Sequence, residues 1–152
     1  MFLPYGRRFA GAAFIPRELV AAFDQRETQI HMGEALAALS AVYSCWDLLR
    51  GLKVLHFVDN QGALANLIAG SAGAMDVAGV VAWYQVLTVS GNILPWFEYV
   101  ESHLNLADVP SRLLDAFAAD PLAKALGISS VLPARLPPLE DFYLSILLLL
   151  FR

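Results

Sequence analysis

The run Val54-Leu55-His56-Phe57-Val58 limits the possible folds of this chain more than any other segment. It is short, apolar and rich in strand-favouring residues. The turn Arg50-Gly51 precedes it and Asp59-Asn60 ends it. A wholly apolar strand is usually central, so a central strand is expected. Helices are expected on either side of it in the sequence.

The flanking sequence supplies such helices. From His31 to Leu49, Leu36, Leu39, Tyr43 and Trp46 recur at helical spacing, and Glu34, Ala38, Ala41 and Cys45 form a second stripe of small residues. A small stripe lets a helix lie close to a sheet, with Glu34 near one sheet edge. After the strand, Asn60 can cap a helix from about Gly62 to Ile68 that Gly70 ends. Asp76 is suited to cap Val77 to Val89, and Gly91 to stop it. Ile93 to Val100 reads as a second strand, with Pro95 near its start.

Upstream, Arg7 to Ile15 reads as a strand closed by Pro16, followed by a short helix from Glu18 to Phe23. Asp24 to Thr28 is a polar connector. Downstream, short helices are expected at Ser111 to Ala118 and Pro121 to Leu126, before Pro133, Pro137 and Pro138 mark a linker. Phe142 to Phe151 fits either helix or strand. Strands alternate with helices, so the class is α/β. Residues 1–128 form the domain, and 129–152 the proline-containing linker and apolar tail.

Composition narrows the functional classes. At 152 residues, one domain with a real core is expected. Apolar residues make up 58% and charged ones 16%, which excludes a disordered chain and implies apolar surface that meets a partner. The net charge is −4 and the ten Lys and Arg are scattered, which argues against tight autonomous nucleic-acid binding. It leaves room for a metal-dependent site, where ions supply positive charge. Cys45 is alone, so no disulfide framework or thiolate cluster forms. A reducing, intracellular setting, cytoplasmic or nuclear, fits. No membrane partner is expected, because Leu144 to Phe151 falls well short of the roughly 20 residues that span a bilayer.

Three carboxylates stand out. Glu34 lies at the start of a helix, Asp59 at the end of a strand, and Asp108 in V-E-S-H-L-N-L-A-D-V-P-S-R, Val100 to Arg112. Open α/β sheets place ligands at the carboxyl ends of their strands. Carboxylates from separate elements can surround divalent ions, and phosphodiester cleavage uses two of them about 3.5–4 Å apart. Each residue also has a plain structural alternative. Glu34 suits a first-turn acid stabilised by the helix dipole. Asp59 suits a turn, and Asp108 a cap for the following helix. His103 suits an exposed histidine, although it stands close before Asn105 and Asp108. His31 and His56 read as structural.

The order of these segments resembles the ribonuclease H domain of reverse-transcribing elements, including retrotransposons and the hepadnavirus-like group. The resemblance covers about Arg7 to Leu114. An I-x-x-x-E pattern is matched by Ile30 to Glu34, a strand ending F-V-D-N by Phe57 to Asn60, and V-P-S-x-x-N-x-A-D-x-P-S-R by Val100 to Arg112, with Glu101 in place of the proline. The resemblance implies a sheet flanked by helices and metal-dependent cleavage of RNA in RNA–DNA hybrids. Glu34, Asp59 and Asp108 would bind Mg²⁺ (or Mn²⁺), and His103 would match a mobile histidine that assists product release. It also implies a reverse transcriptase domain upstream.

One element of that pattern has no counterpart. The family's first carboxylate is an Asp on the first, central strand, and here no Asp precedes Asp24. The first strand is therefore expected to be missing, the two-ion site incomplete and cleavage impaired. The neighbours of that strand would expose edges that favour self-association. The competing reading is a non-catalytic, connection-like structural or protein-interaction remnant. A third is an unrelated α/β domain.

Overall fold

The structure, a computed structural model, describes residues 10–25, 30–107, 121–128, 131–138 and 140. In chain order these form β1 (Ala10–Ala12), α1 (Arg17–Ala21), α2 (Ile30–Leu49), β2 (Lys53–Val58), α3 (Gln61–Ala69) and α4 (Met75–Ser90). Then come β3 (Leu94–Tyr99), a 3-10 turn (Ser102–Leu104), α5 (Pro121–Ala125) and β4 (Val131–Pro133). The chain is a mixed α/β protein with two small parallel sheets. The helix expected at Ser111 to Ala118 and the tail Phe142 to Phe151 lie outside the described residues.

β2 and β3 pair in parallel, with Lys53 opposite Leu94 and Val58 opposite Tyr99. Leu94 N donates to Leu52 O at 2.9 Å, and Val100 N to Val58 O at 3.1 Å. Donors toward β2 recur at every second residue, so Pro95, with no N–H, falls out of phase and costs the ladder nothing. The connection between the strands is α3 and α4.

α2, α3 and α4 cover one face of this sheet. Leu36, Leu39, Val42, Leu67, Val80, Val81 and Tyr84 are essentially inaccessible there, with Val58 beneath them. Ala35 and Ala38 are also buried, which lets α2 approach closely, whereas Ala41 is exposed. The small stripe therefore runs through Ala35 rather than Ala41. Trp46 Nε1 donates to Leu87 O at 3.0 Å and ties α2 to α4.

The other face departs from the expectation of a central strand. Leu55, Phe57, Leu94 and Trp96 are each more than half exposed. Among the described residues β2 pairs only with β3. Strand periodicity explains the split: Val54, His56 and Val58 point to the helices, and the residues between them point outward.

β1 is shorter than the Arg7 to Ile15 run suggested, and it pairs in parallel with β4, Ala10 opposite Val131 and Ala12 opposite Pro133. This pairing uses residues expected to begin a linker. Pro133 is tolerated because it ends a two-stranded edge. The chain then crosses α2. Ser40 Oγ donates to Arg135 O at 2.8 Å, and Arg135 N donates to Ser44 Oγ at 2.7 Å. The Arg135 guanidinium lies over the Tyr43 ring at 5.7 Å, and Leu136 packs on the main core.

Asp76 does not cap α4. Ala74 holds the cap position, and the buried Asp76 carboxylate accepts from Asp24 N at 3.0 Å and Val77 N at 2.8 Å. The acid thus joins the segment after α1 to the start of α4.

Beneath the sheet, His56 Nδ1 lies 3.4 Å from Tyr84 Oη, and its ring stacks on Phe97 with centroids 5.7 Å apart. Burial lowers the His56 pKa from 6.5 to about 4. The folded protein therefore holds this imidazole neutral while the unfolded chain protonates it. Stability from this site is complete above about pH 6.5 and is lost as pH falls toward 4. Between pH 7.5 and 4.5 the His56 contribution to unfolding free energy should fall by roughly 2–3 kcal/mol. Denaturant titrations of the parent and His56→Phe at both pH values measure it, and an equal pH effect in the two proteins would contradict it.

Candidate functional site

Asp59 follows the last residue of β2 and is partly buried. Asn60 then caps α3 by accepting from Ala63 N at 2.9 Å through Oδ1. Gly70 ends that helix in the left-handed region at φ 67°, where a side chain would be strained. Asp59 is thus held between a strand end and a capped helix.

Glu34 reaches the same end of the sheet by a different route. The turn Arg50-Gly51-Leu52 reverses the chain, so α2 and β2 run antiparallel where they pack. The helix is interrupted at Cys45, whose φ of −116° and ψ of 15° lie outside helical geometry. α2 begins at Ile30, so Glu34 sits just beyond the first turn and is not a first-turn dipole acid. A direct contact joins the two helix starts: a Cβ at Gly62 would collide with the His31 imidazole.

β3 is parallel to β2 and ends at the same edge. The 3-10 turn after it carries His103, which is exposed and lies 3.4 Å from the exposed Glu101 carboxylate. Such a surface pair contributes little stability. Asp108 lies outside the described residues.

The structure thus brings Glu34, Asp59 and His103 to one end of the β2–β3 sheet. Glu34 and Asp59 offer carboxylate oxygens, the donors that Mg²⁺ takes. Among the described residues, no group of three Asp, Glu, His or Cys side chains is arranged to hold a metal ion. The described residues alone do not compose a two-ion centre. Burial raises the Cys45 thiol pKa, which keeps the free thiol protonated near neutral pH. Among the described residues, no helix is long and apolar enough to cross a membrane. Comparison of the chain with protein-family models, curated proteins and solved structures gave no match.

The sequence marked Asp59, Asn60 and Glu34 and gave Gly62 no role; its neighbour in space is the exposed His31 imidazole. Asn60→Ala removes the α3 cap and should lower stability by about 1 kcal/mol. A thermal melt reads this as a fall of a few degrees in Tm, and an unchanged Tm would show that the cap is idle.

Proposed function

We propose that this chain is a ribonuclease H-like domain of a retroelement polyprotein. Its reaction is metal-dependent cleavage of RNA in RNA–DNA hybrids, weakened because the chain offers three of the four expected carboxylates. The supporting observation is one of order and position. Glu34 lies one turn into the long helix, Asp59 follows the end of a strand, and the S-H-L-N-L-A-D segment follows the parallel partner strand. Mg²⁺ or Mn²⁺ is the cofactor this reading requires. Glu34, Asp59 and Asp108 are its ligands, His103 an accessory group, and the RNA–DNA hybrid its substrate. A reverse transcriptase domain is the expected neighbour in the polyprotein.

The test is a hybrid-cleavage assay on the purified chain with Mg²⁺ or Mn²⁺. Cleavage should be slow, orders of magnitude below a complete family member, because each 1.4 kcal/mol of lost barrier reduction is about tenfold in rate. Asp59→Asn and Glu34→Gln should each abolish it. Cleavage indifferent to both substitutions, or none at any metal concentration, overturns the nuclease reading.

A second reading has its own support. The sheet presents an exposed apolar face, formed by Leu55, Phe57, Leu94 and Trp96, which suits a non-catalytic, connection-like module that meets other protein. The edge of β2 away from β3, unpaired among the described residues, and that face also suit self-association. Size-exclusion chromatography should show apparent mass rising with concentration, and Leu55→Thr with Trp96→Thr should suppress the rise. A monodisperse parent at high concentration would contradict self-association.

A further inference from the structure

The face of the β2–β3 sheet that looks away from the helices carries three rows of exposed side chains. Lys53 stands opposite Leu94, Leu55 opposite Trp96, and Phe57 opposite Glu98. A cation therefore marks the end where both strands start, and an anion the end where both finish. Between them the surface is apolar. The Glu98 carboxylate is held in place by Trp96 Nε1, which donates to Oε1 at 2.8 Å. Shape follows the same polarity. Lys53, Leu55, Leu94 and Trp96 border a shallow hollow toward the starting end. Phe57, 54% exposed, projects toward the finishing end.

Such a face complements itself when turned end for end. A second copy laid on it with strands parallel would gather two Lys53 side chains at one end and two Glu98 side chains at the other. With strands antiparallel, each end holds one Lys53 and one Glu98, and each Phe57 overlies the hollow of the other copy. Sheets packed face to face stand about 10 Å apart, a gap that lysine and glutamate side chains span from opposite sides.

We propose that two copies of the chain pair through this face about a two-fold axis with strands antiparallel, Lys53 of each meeting the partner's Glu98. This pairing rests on the self-association reading above and adds to it the surface, the orientation and the stopping point. A two-fold contact of this kind is satisfied by two copies, so assembly ends at the dimer. Apolar contact supplies the affinity, and the charges select the orientation. The face measures roughly 20 Å along the strands and roughly 10 Å across. That is well below the roughly 800 Å² per partner of a standard interface, so a Kd of about micromolar or weaker is expected.

The test uses the full chain. In analytical ultracentrifugation the parent should pass from monomer to dimer with rising concentration and go no further. Lys53→Glu and Glu98→Lys each set like charges together at both ends and should weaken the dimer about tenfold or more. The two substitutions combined restore opposite charges and should bring the Kd back to within about threefold of the parent. Both side chains are exposed, so thermal melts should stay near parental. An equimolar mixture of the parent and the doubly reversed chain, followed by native mass spectrometry, should sort into two homodimers. A mixed antiparallel pair would place like charges at each end, whereas a parallel pair would favour mixing.

A carbodiimide cross-link on the parent needs no variant. In a mixture of isotope-labelled and unlabelled chains, Lys53 should join Glu98 between copies. Within one copy the two lie roughly 13 Å apart along the strands, too far for a direct amide. Single reversals that leave the Kd unchanged, preferred mixed pairs, or no Lys53–Glu98 link between copies each overturn the proposal. A dimer that responds to Leu55→Thr with Trp96→Thr but not to charge leaves self-association standing and removes this arrangement. A parent that stays monomeric at high concentration removes both.

Discussion

The parallel pairing of β2 with β3 is the constraint on which the other features depend. Two strands that run the same way cannot be joined by a tight turn. The chain must leave the end of β2, cross back over the sheet and re-enter at the start of β3. α3 and α4 make that passage, and α2 packs beside α4 on the same face. One consequence is that both strands finish at one edge, bringing Asp59 and the turn that holds His103 to the same side. A second is that Tyr84, from the crossover, meets His56 and Phe97 beneath the sheet. Site geometry and core packing thus have one origin.

The pairing also explains the division of the apolar surface. β2 and β3 alternate faces in register, so one set of side chains enters the helical core and the other set faces outward together. Leu55 lies opposite Trp96, and Phe57 opposite Glu98, whose carboxylate accepts from Trp96 Nε1 at 2.8 Å. An isolated exposed leucine on a protein surface needs no explanation, but a contiguous outward row does. It is one place where the high apolar content of the chain reaches the surface.

Much of this arrangement could be read from the chain alone. Continuous apolar strands, Asn60 as a cap, Gly70 as a helix end and the tolerance of Pro95 follow from local rules, and these features appear within a residue or two of where local rules place them. Where local rules failed, tertiary partners decided the outcome. Ala10-Gly11-Ala12 lies within the run read as a strand, but its partner Val131-Leu132-Pro133 lay in the segment read as a linker and is a strand because it meets β1. Asp76 looks like a cap and instead holds the amide of Asp24, 52 residues away. The candidate site divides in the same way. Asp59 and Glu34 were visible because strand ends and helix starts leave marks in sequence. The His31–Gly62 contact was not, because nothing in either segment names the other. The outward face of β2 was missed because an apolar run does not say how many of its sides are covered.

The crossing of α2 by the segment around Arg135 bears on how the protein folds. Ser40 and Ser44 grasp a backbone unit more than 90 residues further along the chain. Closing so long a loop costs entropy before any contact repays it. α2, β2, α3, α4 and β3 assemble from neighbours close in sequence and can form without that segment. The two serines then act as a latch that engages late, on a helix already in place. Native-state hydrogen exchange should therefore find the β1–β4 pair opening independently of the larger sheet, as a separate and less stable cooperative unit.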